Sequence, residues 1–94
     1  MENGRPYFET QLDKSTFLRI FKREVDPGEL VWHQDNEDRK LLCIEGFGWH
    51  LQKDNMLPEL LVPGKTYSIE RNEWHRIIGG NSDLKLVIIK QNIH

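Results

Sequence analysis

Residues 84–90 read Leu-Lys-Leu-Val-Ile-Ile-Lys, and this stretch decides the fold class. Its residues Leu84, Leu86 and Ile88 share one face of an extended chain, because successive side chains of a strand point to opposite faces. The same alternation recurs in a second run, at Phe47, Trp49 and Leu51. A period of two in such short runs predicts β-strands.

The rest of the chain repeats this pattern between turn signals rich in Gly, Pro, Asn and Asp. Eight short runs are predicted as strands, at residues 17–25, 29–35, 39–44, 47–53, 57–62, 66–69, 74–78 and 84–90. The sequence has no alanine but eight Ile, four Val, three Thr and nine aromatic residues, a composition that favours strands. The longest helical candidate, the first third of residues 6–16, has a poor helical pattern. We therefore predict an all-β sandwich or barrel of about eight strands with little helix.

The length of 94 residues predicts a single domain, 1–94, in which residues 1–16 form an N-terminal arm. Hydrophobic residues make up 37% of the chain, which is normal for a protein that folds. A sandwich of this size is near the lower limit for a stable core. Pairing would cover edge strands and add core, so we expect a homodimer.

Charge and composition exclude several classes of function. No apolar run approaches the roughly 18 residues of a membrane-spanning helix, so no membrane partner is expected. The net charge of −2 gives no field that would attract nucleic acid. The basic group Arg19, Lys22 and Arg23 is interpreted as a solvated strand face, because acidic residues follow it at once. A lone Cys43 excludes an internal disulfide and favours a reducing compartment, the cytoplasm.

A His and an Asp in the predicted strand 29–35 are the first candidates for a functional site. His33 and Asp35 are two residues apart, so they point into the same space. They are interpreted either as two ligands of one metal ion or as a catalytic pair in which the His acts as a general base. If the strand containing His75 lies alongside, the three residues form a two-His, one-carboxylate set. Such a set suits Fe or Mn, and with less preference Ni or Zn.

Each of these residues also has a purely structural interpretation. His33 and Asp35 would then be a hydrogen-bonded pair at a sheet rim, and His75 a histidine satisfied within the barrel. Gln52 and Tyr67 are further candidates for ligand binding, on strands that would line the barrel. Arg39 is a third, since its guanidinium could bind a ligand carboxylate or phosphate, or close an ion pair with Asp35.

Residues 28–46 resemble the first motif of the cupin family. That motif is a Gly, five residues, His-x-His, a Glu and a Gly. His33 and Asp35 fall on the two His positions, Arg39 on the Glu and Gly46 on the final Gly, while Gly28 lies one residue from its expected place.

Residues 64–79 resemble the second cupin motif, a Gly, five residues, Pro-x-Gly, two residues and a His. Gly64 and His75 match, whereas Glu70 and Asn72 replace the Pro and the Gly. The resemblance covers most of the chain and implies a cupin-like jelly roll. Two local strings, Trp-His-Gln-Asp-Asn-Glu-Asp-Arg and Glu-Trp-His-Arg-Ile, are also similar to small cupin-like proteins of bacteriophages, which would place the protein in the host cytoplasm.

The resemblance implies a metal at His33, Asp35 and His75, but Arg39 stands where the family has a carboxylate ligand. A guanidinium does not ligate metals, and at about 5 Å it would repel a divalent ion by about 6–7 kcal/mol at an effective dielectric of about 20. The leading expectation is therefore a barrel that binds a small polar or anionic molecule, with a divalent metal or with none. The alternatives are an Fe- or Mn-dependent oxygenase, a metal-free isomerase or epimerase, and a non-catalytic dimeric assembly protein.

Overall fold

Eight β-strands run through residues 4–91, the part of the chain that the computed structural model describes. In chain order they are β1 (Phe8–Gln11), β2 (Thr16–Phe21), β3 (Asp38–Glu45), β4 (His50–Lys53), β5 (Glu59–Leu60), β6 (Thr66–Ile69), β7 (His75–Ile78) and β8 (Leu84–Gln91). No α-helix occurs in the described residues, and none of their helical turns is long and apolar enough to cross a membrane. The predicted all-β fold with about eight strands is confirmed.

The strands form two antiparallel sheets. The larger has the order β1-β2-β8-β3-β6, and the smaller has the order β5-β4-β7. Strand β8 lies at the centre of the larger sheet, where it pairs with β2 on one side and β3 on the other. Two antiparallel sheets joined by connections that cross between them are the arrangement of a jelly roll.

The core lies between the two sheets. Leu84, Leu86 and Ile88 are buried on one face of β8, as their alternation predicts. From the smaller sheet, Leu51 and Ile77 pack into the same cluster. Burial of this apolar surface is the main term that stabilises so small a fold.

Trp49 fixes one end of this core through a close approach of two backbone segments. Its indole Nε1 donates a hydrogen bond of 2.8 Å to the carbonyl of Ser82. Gly80 packs directly beneath it, and a Cβ at Gly80 would lie 2.4 Å from the carbonyl oxygen of Phe47. Only glycine fits at this position.

Three segments differ from their predicted structure. Residues 29–35 are not a strand: the 3-10 helix Pro27–Glu29 occupies their start, and only His33 makes a β-bridge, to His75. Residues 6–16, which held the longest but poor helical candidate and belong to the predicted N-terminal arm, contain strand β1, because Phe8–Gln11 pairs along β2. Phe47 is 71% exposed, because the positive φ angles of Gly46 and Gly48 turn the chain before β4 begins.

Candidate functional site

A cavity of about 360 Å³ opens beside the core and carries both apolar and polar side chains. Its apolar walls come from inward-facing residues of both sheets, among them Leu41, Ile69, Ile77, Leu86 and Ile88. The polar side chains of His33, Asp35, Arg39 and His75 line the same cavity. A concave site in which polar groups converge beside an apolar wall is typical of a small-molecule site.

Backbone pairing places the two histidines side by side. His33 N–H donates to the carbonyl of His75, and His75 N–H donates to the carbonyl of His33, each at 3.0 Å. The two imidazole rings therefore lie close, with centroids 4.2 Å apart. His75 is buried on β7, whereas the side chain of His33 is 43% exposed.

Backbone carbonyls also determine which nitrogen of each imidazole carries the proton. His33 Nδ1 lies 2.9 Å from the carbonyl oxygen of Val31, and His75 Nδ1 lies 2.8 Å from that of Glu73. Because a carbonyl only accepts, this contact assigns the proton of each neutral ring to Nδ1. Each Nε2 then keeps a free lone pair, the form in which histidine binds metals.

These lone pairs converge on the carboxylate of Asp35. His75 Nε2 is 3.1 Å from Asp35 Oδ2, and His33 Nε2 is 3.9 Å from Asp35 Oδ1. Asp35 Oδ2 is buried and faces His75 Nε2, which donates a hydrogen bond to it when the ring is protonated and presents a lone pair to it when the ring is neutral. One ligand atom from each of the three side chains lies within 4.8 Å of the others. The arrangement gathers three acceptor groups around one point, as a cation site requires.

The spacing of these atoms fits a transition-metal ion. With bonds of about 2.1 Å, adjacent ligands of a six-coordinate ion are about 3.0 Å apart. The His75–Asp35 distance meets this value, and the half-exposed His33 has room to approach. Two imidazoles and one carboxylate leave the remaining coordination positions open.

Charged neighbours keep Asp35 ionised. Burial raises the pKa of its carboxyl group, but the His75 imidazole, the Arg39 guanidinium and His33 together lower the pKa by more, to below its usual value. Arg39 Nη2 lies 3.3 Å from Asp35 Oδ1 and 3.4 Å from Glu37 Oε1. The site thus holds a carboxylate at neutral pH, ready to bind a cation.

Known proteins resemble this chain in structure and not detectably in sequence. No protein-family model matches the sequence, and no curated protein matches it. An RmlC-like cupin family protein with a double-stranded β-helix fold from Methanocaldococcus jannaschii superposes with a TM-score of 0.69 at 18% identity, over 96% of this chain and 84% of that one. This chain has the cupin fold.

Two larger enzyme structures resemble it as well. The DMSP lyase DddQ from Ruegeria pomeroyi DSS-3 gives a TM-score of 0.72 at 11% identity, over 93% of this chain and 47% of that one. HppE, in a complex of its FeII form with substrate, gives 0.65 at 16% identity, over 90% and 52% respectively. The chain therefore spans about half the length of these two structures. The likeness to bacteriophage proteins remains a prediction.

Two predicted ligand-binding residues do not line the cavity. Gln52 lies on β4 and accepts hydrogen bonds of 2.9 and 2.8 Å from the guanidinium of Arg76. Tyr67 is buried on β6, and its hydroxyl donates to the carbonyl of Leu60 at 2.9 Å. Each side chain forms hydrogen bonds with a neighbouring segment and does not face the cavity.

Sequence reasoning missed a second polar group in the cavity wall. Arg19 is buried, and its Nε donates to Glu9 Oε2 at 2.8 Å. Its guanidinium carbon also lies 3.8 Å from the centre of the Tyr7 ring. The interpretation of Arg19 as part of a solvated face was wrong. Its alternation with Phe17 and Phe21 contained the signal, since all three share the inner face of β2.

Proposed function

We propose that this cupin binds one divalent transition-metal ion and a small polar or anionic molecule side by side in its cavity. The observation that carries the proposal is the convergence of His33 Nε2, His75 Nε2 and the buried carboxylate of Asp35. When both imidazoles are neutral, these three groups are all acceptors, and a metal ion between them would satisfy all three.

The donor set suits Fe, Mn, Ni or Zn. HppE, which shares this fold, has been solved in FeII and CoII forms, in agreement with such an ion here. A bound ion of this kind supplies a Lewis acid with open positions for a ligand. The protein itself supplies the orientation of both imidazoles, since the carbonyls of Val31 and Glu73 hold the two rings.

The cavity walls determine what lies next to the ion. Apolar side chains of both sheets form one wall of the cavity. Arg39, next to Asp35, adds a positive group that favours a polar or anionic ligand. The volume of about 360 Å³ admits a molecule of about 10 to 15 non-hydrogen atoms.

A metal-free proton-transfer site is the second candidate function. The distance of 3.1 Å between His75 Nε2 and Asp35 Oδ2 is within reach of proton transfer. The predicted pair of His33 and Asp35 is less suitable, because its atoms are 3.9 Å apart. This candidate corresponds to an isomerase or epimerase in which His75 holds the mobile proton.

Metal binding by variants separates the two candidates. We would titrate chelator-treated protein with Mn(II) and Ni(II) by calorimetry, using wild type, His33→Ala, His75→Gln and, as a matched control outside the cavity, His50→Ala. We expect one ion per chain, with affinity lowered at least tenfold in the first two variants and unchanged in His50→Ala. Thermal unfolding verifies that each variant is folded. Absence of binding by the wild type, or equal affinities throughout, would exclude the metal site.

A further inference from the structure

Arg39 has an unused hydrogen-bond donor inside the cavity. Its side chain is 12% exposed, and its Nε is buried without a hydrogen-bond partner. Buried donors in folded proteins are nearly always paired, and a charged one is particularly costly to leave unpaired. Because Arg39 also lines the cavity, the terminal nitrogens of its guanidinium can donate to a molecule bound there.

The two carboxylates near Arg39 do not provide strong acceptors for its guanidinium. Nη2 lies 3.3 Å from Asp35 and 3.4 Å from Glu37, which is longer than the roughly 2.8 Å of a strong charge-assisted hydrogen bond. The contacts of Arg39 with both carboxylates are therefore weak. The fork of a guanidinium is suited to a planar carboxylate, which accepts two parallel hydrogen bonds.

The charges nearby indicate how much negative charge the ligand carries. Among the groups in contact with Arg39, Asp35 and Glu37 with Arg39 leave one net negative charge, and a divalent ion on Asp35 would turn this into one net positive charge. The other buried arginine of the cavity wall, Arg19, is already paired with Glu9, so a single carboxylate at Arg39 neutralises the local excess. The apolar walls around it, from Leu41, Ile69 and Ile88, favour an uncharged hydrocarbon body over a second charge.

We propose that the cavity ligand is a monocarboxylate whose anionic group binds Arg39, and that this carboxylate and the metal ion increase each other's affinity. The inference rests on the proposed metal function. Without the anion, Arg39 repels the ion, and the anion bound between them screens this repulsion. The two affinities change by the same factor, because coupling between two binding sites is reciprocal.

Calorimetry with paired probes tests this coupling. The probes are acetate, butyrate and benzoate, each matched with its neutral amide, and Mn(II) is titrated in the presence and absence of each probe. For at least one carboxylate we expect Mn(II) affinity to rise at least fivefold, and for its amide no change. Arg39→Gln should abolish this increase. The control variant Arg76→Gln, which changes an arginine outside the cavity, should retain it.

The outcomes separate the two proposals. If Mn(II) binds the wild type but no carboxylate changes its affinity, or if Arg39→Gln keeps the coupling, the monocarboxylate proposal is wrong and the metal site stands. If Mn(II) binds neither alone nor with a carboxylate, the metal function itself fails. Circular dichroism of both arginine variants confirms that they remain folded.

Discussion

Two backbone hydrogen bonds place His33 and His75 next to each other, independently of any contact between their side chains. Their mutual hydrogen bonds of 3.0 Å join the loop before β3 to the first residue of β7. Residues 42 positions apart in the sequence thus become direct neighbours, and their rings are aligned by carbonyls of the same segments. The candidate metal ligands are therefore preorganised by the sheet, which lowers the cost of binding.

Replacing Arg39 with Glu is expected to strengthen metal binding at least tenfold in the absence of added carboxylates. The change removes a positive charge and adds a carboxylate at the position where the cupin motif has one. Tenfold corresponds to about 1.4 kcal/mol, far less than the repulsion between an arginine and a divalent ion at about 5 Å. Titration of both proteins with Ni(II) in a non-chelating buffer measures the effect. Equal affinities would show that Arg39 does not act on the ion.

Truncation of the core should be costly. Leu84→Ala removes a side chain that is 0% exposed, so we expect unfolding free energy to fall by about 2–5 kcal/mol. Leu57, at 89% exposure, is the matched control, and its change to Ala should cost less than about 0.5 kcal/mol. Urea denaturation followed by tryptophan fluorescence compares the two. Similar losses in both variants would contradict the described packing.

Cys43 is expected to be unreactive while the protein is folded. Burial raises the pKa of its thiol and leaves the side chain 0% exposed, so little thiolate is present and reagents have no access. At pH 8 a disulfide reagent should label the folded chain about 100-fold more slowly than the chain unfolded in urea. Rapid labelling without denaturant would place Cys43 at the surface.

The contact between Asp83 and Lys22 should make stability depend on acidic pH. The hydrogen bond from Lys22 and the backbone N–H of Arg23 lower the pKa of the Asp83 carboxyl in the folded state. Its contribution is then complete above about pH 4, the unfolded pKa, and is lost as pH falls through the lower folded pKa. Asp83→Asn should reduce the melting temperature at pH 6, with a difference that shrinks towards pH 2. The exposed Asp54→Asn is the control, and an equal loss there would contradict this assignment.

The sequence was sufficient to predict the fold class because period-two alternation directly reports a sheet with one buried face. Leu84, Leu86 and Ile88 illustrate this, since all three are buried as expected. Strand β1 was missed because its sequence, Phe-Glu-Thr-Gln, has one apolar residue and pairs only at a sheet edge. Its position depends on long-range pairing that local patterns do not contain.

The candidate site could be predicted only in part. His33, Asp35 and His75 were grouped by spacing and by the cupin resemblance, and the structure places them together. The inward direction of Gln52 and Tyr67 could not be determined, because it depends on the register of strands β4 and β6. Pairing as a homodimer and a cytoplasmic location remain predictions, which light scattering and fractionation would test.

The central position of β8 affects how the protein is made. Thr16 pairs with Ile89, so the five-stranded sheet joins one end of the described chain to the other. A ribosome adds about 5–20 residues per second, so β2 and β3 wait for several seconds before their shared neighbour is synthesised. Until β8 leaves the ribosome, the strand edges of β2 and β3 that pair with it lack their backbone hydrogen-bond partner. The five-stranded sheet therefore cannot be completed before β8 has been synthesised.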